Sequence, residues 1–229
     1  MAKLKFFIAG TDVGVGKTLV TLAILEAANK RGLSTVGMKP VATGCRATEE
    51  GCQSDDVVLL MEQMSLSLPY NQINPIALEP ALMPHIAAER TGRRILASQL
   101  VGFCRGVLMQ SADLAIIEGS GGWRELLNAR ETMAGVPREL RMPVILVVTT
   151  NRGCINQTML TVEAIARDGV TLAGWVANDL LGDAEAHKDL VVTLRSLIPA
   201  PFLGSIPFLE FPTAQAAVSH LDIDSVITG

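Results

Sequence analysis

The chain has 229 residues, of which 49% are hydrophobic, 18% charged and 4% aromatic, and its 19 Lys+Arg against 23 Asp+Glu leave a net charge of −4. Charge this sparse among so much apolar content excludes a disordered chain, and the length predicts one unit over 1–229 whose core needs no staples. The acidic balance excludes binding to nucleic acid through a basic surface.

A strand over 5–9 feeds a helix over 18–30, and a second strand over 34–41 precedes helices over 55–64 and 97–110. A strand over 114–117 follows, then a helix over 132–140, a strand over 144–149 and a helix over 157–168. A strand over 171–177, a helix over 184–196 and a strand over 201–206 complete the βαβα alternation. Runs such as Val144-Ile145-Leu146-Val147-Val148 show no polar alternation, the mark of strands covered on both faces. The predicted fold is therefore a doubly wound, mostly parallel α/β sheet with helices on both faces, which binds ligands at the carboxyl ends of its strands. The polar segment 42–53 reads as a loop over that edge, and 71–84, with Pro75, Pro80 and Pro84, as irregular chain.

The densest apolar run, 143–148, falls far short of the ~18 residues of a membrane span, and strand-like Phe6-Phe7-Ile8-Ala9 meets Gly, Thr and Asp at once, unlike a signal peptide. Cys45, Cys52, Cys104 and Cys154 form no C-x-x-C pair, and with three histidines in the chain no zinc cluster is expected. Scattered thiols fit a reducing cytoplasm.

Four motifs carry chemistry. Gly10-Thr11-Asp12-Val13-Gly14-Val15-Gly16-Lys17-Thr18 lies between a strand and a helix. It reads as a phosphate-binding loop one residue longer than the usual G-x-x-x-x-G-K-[ST], in which backbone N–H groups cradle an anion, Lys17 reaches the β/γ-phosphates and Thr18 holds Mg²⁺. A glycine-rich turn without a ligand is the alternative. Met38-Lys39-Pro40-Val41 puts a second cation at a strand end on the same edge, where charge develops in phosphoryl transfer; alone, such a lysine would be merely solvated. Leu114 to Trp123 forms a strand ending in Glu118 and a glycine-rich turn, a carboxylate suited to Mg²⁺ and a backbone that a ligand can approach at Gly121. Ser54-Asp55 offers another carboxylate, or a helix cap. Gly153-Cys154-Ile155-Asn156 opens a helix and could bind a second anion, while Cys154, with no histidine near it in sequence, reads as a small buried thiol.

In order and spacing these residues resemble the dethiobiotin synthetase family. The resemblance covers Gly10 to Thr18, Lys39-Pro40-Val41, Ser54-Asp55, Pro84-His85, Glu118 to Trp123, Gly153 to Asn156, Gly174 to Asn178 and Ile198 to Pro201. It implies an ATP- and Mg²⁺-dependent ligase that joins CO₂ to 7,8-diaminononanoate and closes a cyclic urea, through a carbamate and a carbamic-phosphoric anhydride. It assigns Lys17 and Lys39 to catalysis, residues Asp12, Val13, Gly14, Val15, Gly16, Lys17 and Thr18 to the nucleotide, and Thr18, Asp55 and Glu118 to Mg²⁺. Asn178 would read the adenine with Pro207, Phe208 and Leu209 lining its pocket, and Thr43, Glu118, Gly121 and Asn156 would serve the substrate. A homodimer is implied, with Asn156 at the interface.

The chain departs from the family pattern in several places. Gly14 stands where a Glu is common, Arg124-Glu125-Leu126-Leu127 replaces a segment ending in Pro-Leu, Leu190 replaces a frequent Tyr, and Arg152 precedes the second anion motif. A paralogue with another substrate is one alternative. A second class, the partition-type switch ATPases of this fold, carries an extra Lys where Asp12 stands. The stretch 211–229 has no Lys or Arg to form a basic membrane helix. The amide-forming enzymes of cobalamin synthesis add a glutaminase domain for which this chain is too short.

Overall fold

The computed structural model describes residues 3–227, with side chains to Ser225, so the ends of the expected 1–229 unit lie outside the described residues. In chain order the elements are β1 (Leu4–Gly10), α1 (Lys17–Lys30), β2 (Thr35–Met38), β3 (Val41–Thr43), β4 (Arg46–Thr48), β5 (Gly51–Gln53) and α2 (Asp55–Gln63). Next come α3 (Tyr70–Ile73), β6 (Ile76–Leu78), α4 (Pro84–Arg90), α5 (Ala97–Leu108), β7 (Leu114–Gly122), α6 (Gly135–Leu140) and β8 (Val144–Thr149). The chain continues through α7 (Cys154–Arg167), β9 (Leu172–Asn178), α8 (Ala184–Leu197), β10 (Phe202–Ile206), α9 (Ala214–Val218) and α10 (Asp224–Ile227).

Six strands form one parallel sheet in the order β10-β9-β8-β1-β7-β2. Successive side chains of a strand point to opposite faces, yet all six residues of β8 are buried, so helices cover both sides of the sheet. Helix α1 is buried nearly all round because it lies on β1, β2 and β7 and is flanked by α2 and α9. The chain leaves β1 toward β2 on one side and returns through β7 to build β8, β9 and β10 on the other. That reversal opens a crevice at the carboxyl edge beside β1, the place where doubly wound sheets bind ligands. No described helix is long and apolar enough to cross a membrane.

The expected strand over 34–41 is two strands. Pro40 has no N–H to give to a sheet, and the residue before it is taken by another partner: Lys39 N–H donates to the Ile73 carbonyl at 3.1 Å. The chain then re-enters extended form as β3, which pairs in parallel with β6 in a separate two-stranded sheet. The segments expected to be irregular thus hold structure: 42–53 contains the β4–β5 antiparallel hairpin, and 71–84 contains most of α3 and all of β6. Helix α6 starts at Gly135 rather than 132, because Thr132 forms an isolated bridge with Leu126, and α7 starts at Cys154 rather than 157.

Ile116 is fully buried at the centre of β7 between β1 and β2. Ile116→Ala is expected to lower unfolding free energy by about 2–5 kcal/mol through lost burial and the cavity left behind, measured as a fall in the urea midpoint without a change in slope.

Candidate active site

The loop after β1 wraps the N-terminus of α1. Gly16 is the N-cap at φ +91, a left-handed conformation that glycine adopts without strain, and an added Cβ there would lie 2.1 Å from the Asn178 amide nitrogen. The first-turn N–H groups of α1 are available to an anion, since no side chain caps them. Lys17 is buried and donates from Nζ to the Asp12 carbonyl at 3.0 Å. Burial pulls its ammonium down to about 8, with Glu118 acting the other way. Asp12, Val13 and Gly14 form the exposed tip, with the Val13 N–H donating to Asp12 Oδ1 at 2.7 Å, while Val15 is buried. Asn178, at the end of β9, gives its amide N–H to the Val15 carbonyl at 3.0 Å.

Glu118 has no solvent exposure. Its Oε1 accepts from the Thr18 hydroxyl at 2.7 Å and pairs with Lys39 Nζ at 2.9 Å, which joins β7, α1 and the end of β2 in one cluster. Burial opposes charge on Lys39 too, but Glu118 and Asp56 outweigh it and hold the ammonium above its usual range. Oε2 of Glu118 is buried with no hydrogen-bond partner. A spare carboxylate oxygen beside a threonine hydroxyl fits a hard cation such as Mg²⁺, which takes one or two carboxylates and completes its shell with phosphate oxygens and water. Among the described residues no group of three or more His, Cys, Asp or Glu could hold a metal, so the donor set here is of that sparse kind.

Asp55 is not part of this cluster. It lies exposed in an ion pair with Arg46 of the β4–β5 hairpin, and Asp56, one position on, takes Lys39 instead. Neither residue caps α2: the N-cap is Ser54, whose side chain makes no capping bond. The backbone N–H of Ser54 donates to the Tyr70 hydroxyl at 2.7 Å, the hydroxyl donates to Asn74 Oδ1 at 3.2 Å, and the Asn74 amide donates to the Lys39 carbonyl at 2.7 Å. Sequence reasoning missed Asp56, Tyr70 and Asn74. The Asn74-Pro75 turn signal and the singleness of Tyr70 in the chain were the marks available.

A cleft of about 730 Å³ opens beside the loop, lined by Thr11, Asp12 and Val13 on one side and by Thr43, His85, Glu125 and apolar residues including Leu82, Met83, Leu126 and Leu160 on the other. Thr43 ends β3 and lines this cleft, and Gly121 lies under the carboxylate of Glu125. Asn156 is exposed in the first turn of α7. Of the second anion motif, the Gly153 and Cys154 N–H groups are already taken by Asn151. The Cys154 thiol is buried, and burial pushes its pKa up, consistent with an inert role. On the opposite flank of the loop, Pro207 and Phe208 are exposed after β10 and Leu209 is half-buried, and Phe208 lies within van der Waals reach of a Cβ at Gly182. Leu190 packs partly buried against the core, and Arg152 is exposed.

Residues 5–216 match the family model described as an AAA domain. The chain is 49% identical over 227 residues to the ATP-dependent dethiobiotin synthetase BioD of Cellvibrio japonicus, covering 99% of both chains. The chain belongs to the dethiobiotin synthetase family. It is also 51% identical over 211 residues to the family's member from Marinobacter nauticus, covering 92% of this chain and 90% of that one. A solved structure described as a plasmid partition protein of Borrelia burgdorferi bound to AMPPNP covers 98% of that chain and 100% of this one at a TM-score of 0.59 and 12% identity, a likeness of fold alone. The doubly wound fold with a phosphate loop is therefore the one the sequence implied.

Between about pH 8 and the ordinary lysine value of 10.5, the unfolded chain keeps the Lys17 proton and the folded chain releases it. Stability attributable to Lys17 therefore rises with pH across that window. Relative to Lys17→Met, the nucleotide-free protein is expected to gain on the order of 3 kcal/mol over it, read from urea unfolding at both ends of the window.

Proposed function

We propose that this chain is an ATP-dependent cyclo-ligase that forms dethiobiotin from 7,8-diaminononanoate and CO₂, in the synthesis of biotin. The full-length identity to named synthetases supports it, and the observation that carries the site is Lys39, held charged by Glu118 at 2.9 Å on the same edge as the phosphate loop. One amine of the substrate takes up CO₂ as a carbamate. A carbamate oxygen attacks the γ-phosphorus of ATP as the bond to ADP breaks, and the second amine then attacks the carbonyl carbon with loss of phosphate and a proton. The reaction brings two anions together, so the site needs cations and fixed geometry more than a nucleophile.

Lys17, drawn back to the β/γ-phosphates from the Asp12 carbonyl, neutralises the nucleotide, and Lys39 faces the transferring phosphoryl group from the end of β2. The N–H groups from Asp12 to Thr18 cradle the phosphates. Thr18 and Glu118 would hold Mg²⁺, which when bound neutralises phosphate charge; Asp55 joins them only by exchanging Arg46 for the metal. Asn178 keeps its amide on Val15 and offers its remaining capacity to the adenine, between the loop and the Pro207-Phe208-Leu209 segment. Thr43, Gly121 and the walls of the cleft receive the diamine. Exposed Ile155 and Leu160 flank Asn156 on α7, a face suited to a second copy of the chain, and the free cysteines suit a cytoplasmic home.

Incubation of the protein with 7,8-diaminononanoate, bicarbonate, Mg²⁺ and ATP is expected to yield dethiobiotin by mass detection; no product with ATP or any other nucleoside triphosphate would overturn the assignment. Lys17→Gln and Lys39→Gln are each expected to lower turnover by about 10²-fold or more, because each removes a cation at developing charge. Near-normal turnover in either variant removes that lysine from the mechanism.

A further inference from the structure

Glu125 is a carboxylate that the reaction as described leaves without a task. Its backbone is fixed on both sides: its N–H donates to the Gly122 carbonyl at 3.0 Å, and its carbonyl accepts from Met133 N–H at 2.8 Å. The preceding residues are tied to α7, with Trp123 Nε1 and Arg124 both donating to the Asp168 carboxylate. The side chain folds back over β7, where only glycine leaves it room: a Cβ on Gly121 would lie 2.1 Å from Glu125 Oε2. The carboxylate accepts from the Ser120 hydroxyl at 2.8 Å, and none of the ion pairs among the described residues includes it.

This carboxylate lines the 730 Å³ cleft beside the phosphate loop. Asp12 lines the same cleft, and the cation in its lining, Arg124, is engaged at both guanidinium nitrogens by Asp168. Among the lining residues the charge left over is negative, beside apolar side chains of Leu82, Met83, Leu126 and Leu160, while Lys17 and Lys39 act on Glu125 from outside that lining. Two of the cleft's lining residues, Thr11 and His85, each carry a buried polar atom without a partner, Thr11 Oγ1 and His85 Nδ1. A half-buried anion next to a greasy wall fits an alkyl ammonium and repels a carboxylate or phosphate. Burial raises the carboxyl of Glu125, opposed by the Ser120 hydrogen bond and by Lys17, and pairing with a cation relieves that cost.

We propose that Glu125 binds the protonated amine of the diamine that has not been carboxylated, and so sets which end of the substrate enters beside the phosphate loop. The inference rests on reading the reaction as dethiobiotin formation. Glu125→Gln keeps the shape of the side chain and removes its charge. In steady-state assays it is expected to raise KM for the diamine by about tenfold or more while KM for ATP stays within about twofold, and Glu125→Asp is expected to recover part of the loss. An unchanged diamine KM, or diamine and ATP constants that rise together, overturns the assignment. Calorimetric titration of 7,8-diaminononanoate into the nucleotide-free protein reads the same contact without turnover. Wild-type binding that weakens about tenfold in Glu125→Gln supports it; equal affinity in both proteins, or none in either, overturns it. Binding that depends on Glu125 without dethiobiotin formation defeats the reading of the reaction alone. Dethiobiotin formation indifferent to Glu125→Gln defeats this inference alone.

Discussion

A fully buried carboxylate sets the geometry of the carboxyl edge of the sheet. Glu118 lies on β7, beside the edge strand β2, without contact to water, where an uncompensated charge costs several kcal/mol, and Lys39 and Thr18 are the groups that compensate it. Each comes from a different element, so satisfying one charge fixes β7, the end of β2 and the first turn of α1 relative to one another. Removal of Lys39 leaves Glu118 buried without an ionic partner, which is more damaging than loss of the pair as a whole, whereas removal of Glu118 still leaves Lys39 its pair with Asp56. The oxygen of Glu118 that remains without a partner is the sign that the cluster is built to accept something more.

The same constraint explains why the two buried lysines on that edge differ. Both are buried, and burial disfavours charge on both. Lys39 has carboxylates within contact distance and stays protonated, while Lys17 has a neutral carbonyl for its partner and is pulled down to about 8. Lys17 is thus under-compensated in the free protein, so an anion that met it would relieve a desolvation cost already present. Lys39 exerts its charge in both states. Its main chain is held by Asn74, and through Tyr70 by the start of α2, so residues far from the reacting atoms in sequence keep the second cation on its edge.

What was legible in the sequence followed from period and from charge at strand ends. Continuous apolar runs do not depend on neighbours for their meaning, and β8 falls where the run Val144 to Val148 put it. The glycine-rich loop and Lys39 were legible because few other residues in so weakly charged a chain could serve phosphate. Strands of three residues, such as β3 and β6, have no period to read and exist through each other; Pro40 hid the break between β2 and β3 inside one apolar run. That Asp56 meets Lys39 while Asp55 meets Arg46 depends on the rotation of α2, which advances about 100° per residue and so turns adjacent carboxylates to different partners. The departure at Arg124 to Leu127 was visible, but the role of Glu125 required knowing that the chain folds it back over Gly121.

Asn178 links the two halves of the site in a way that neither motif expressed. Its amide is committed to the Val15 carbonyl, and Gly16 packs so closely against it that a methyl group at that position would overlap the amide nitrogen. A side chain expected to read adenine is therefore also a brace for the loop that reads phosphate. Base recognition that shifts Asn178 must shift Val15 and Gly16, and with them the N-terminus of α1 and Lys17. Since Thr18 follows in the same turn and is bonded to Glu118, the displacement would reach Lys39 as well. From Asn178 to Lys39 the path runs through three contacts, Asn178 with Val15, Thr18 with Glu118 and Glu118 with Lys39, all of them at the carboxyl edge where the sheet reverses its direction of winding.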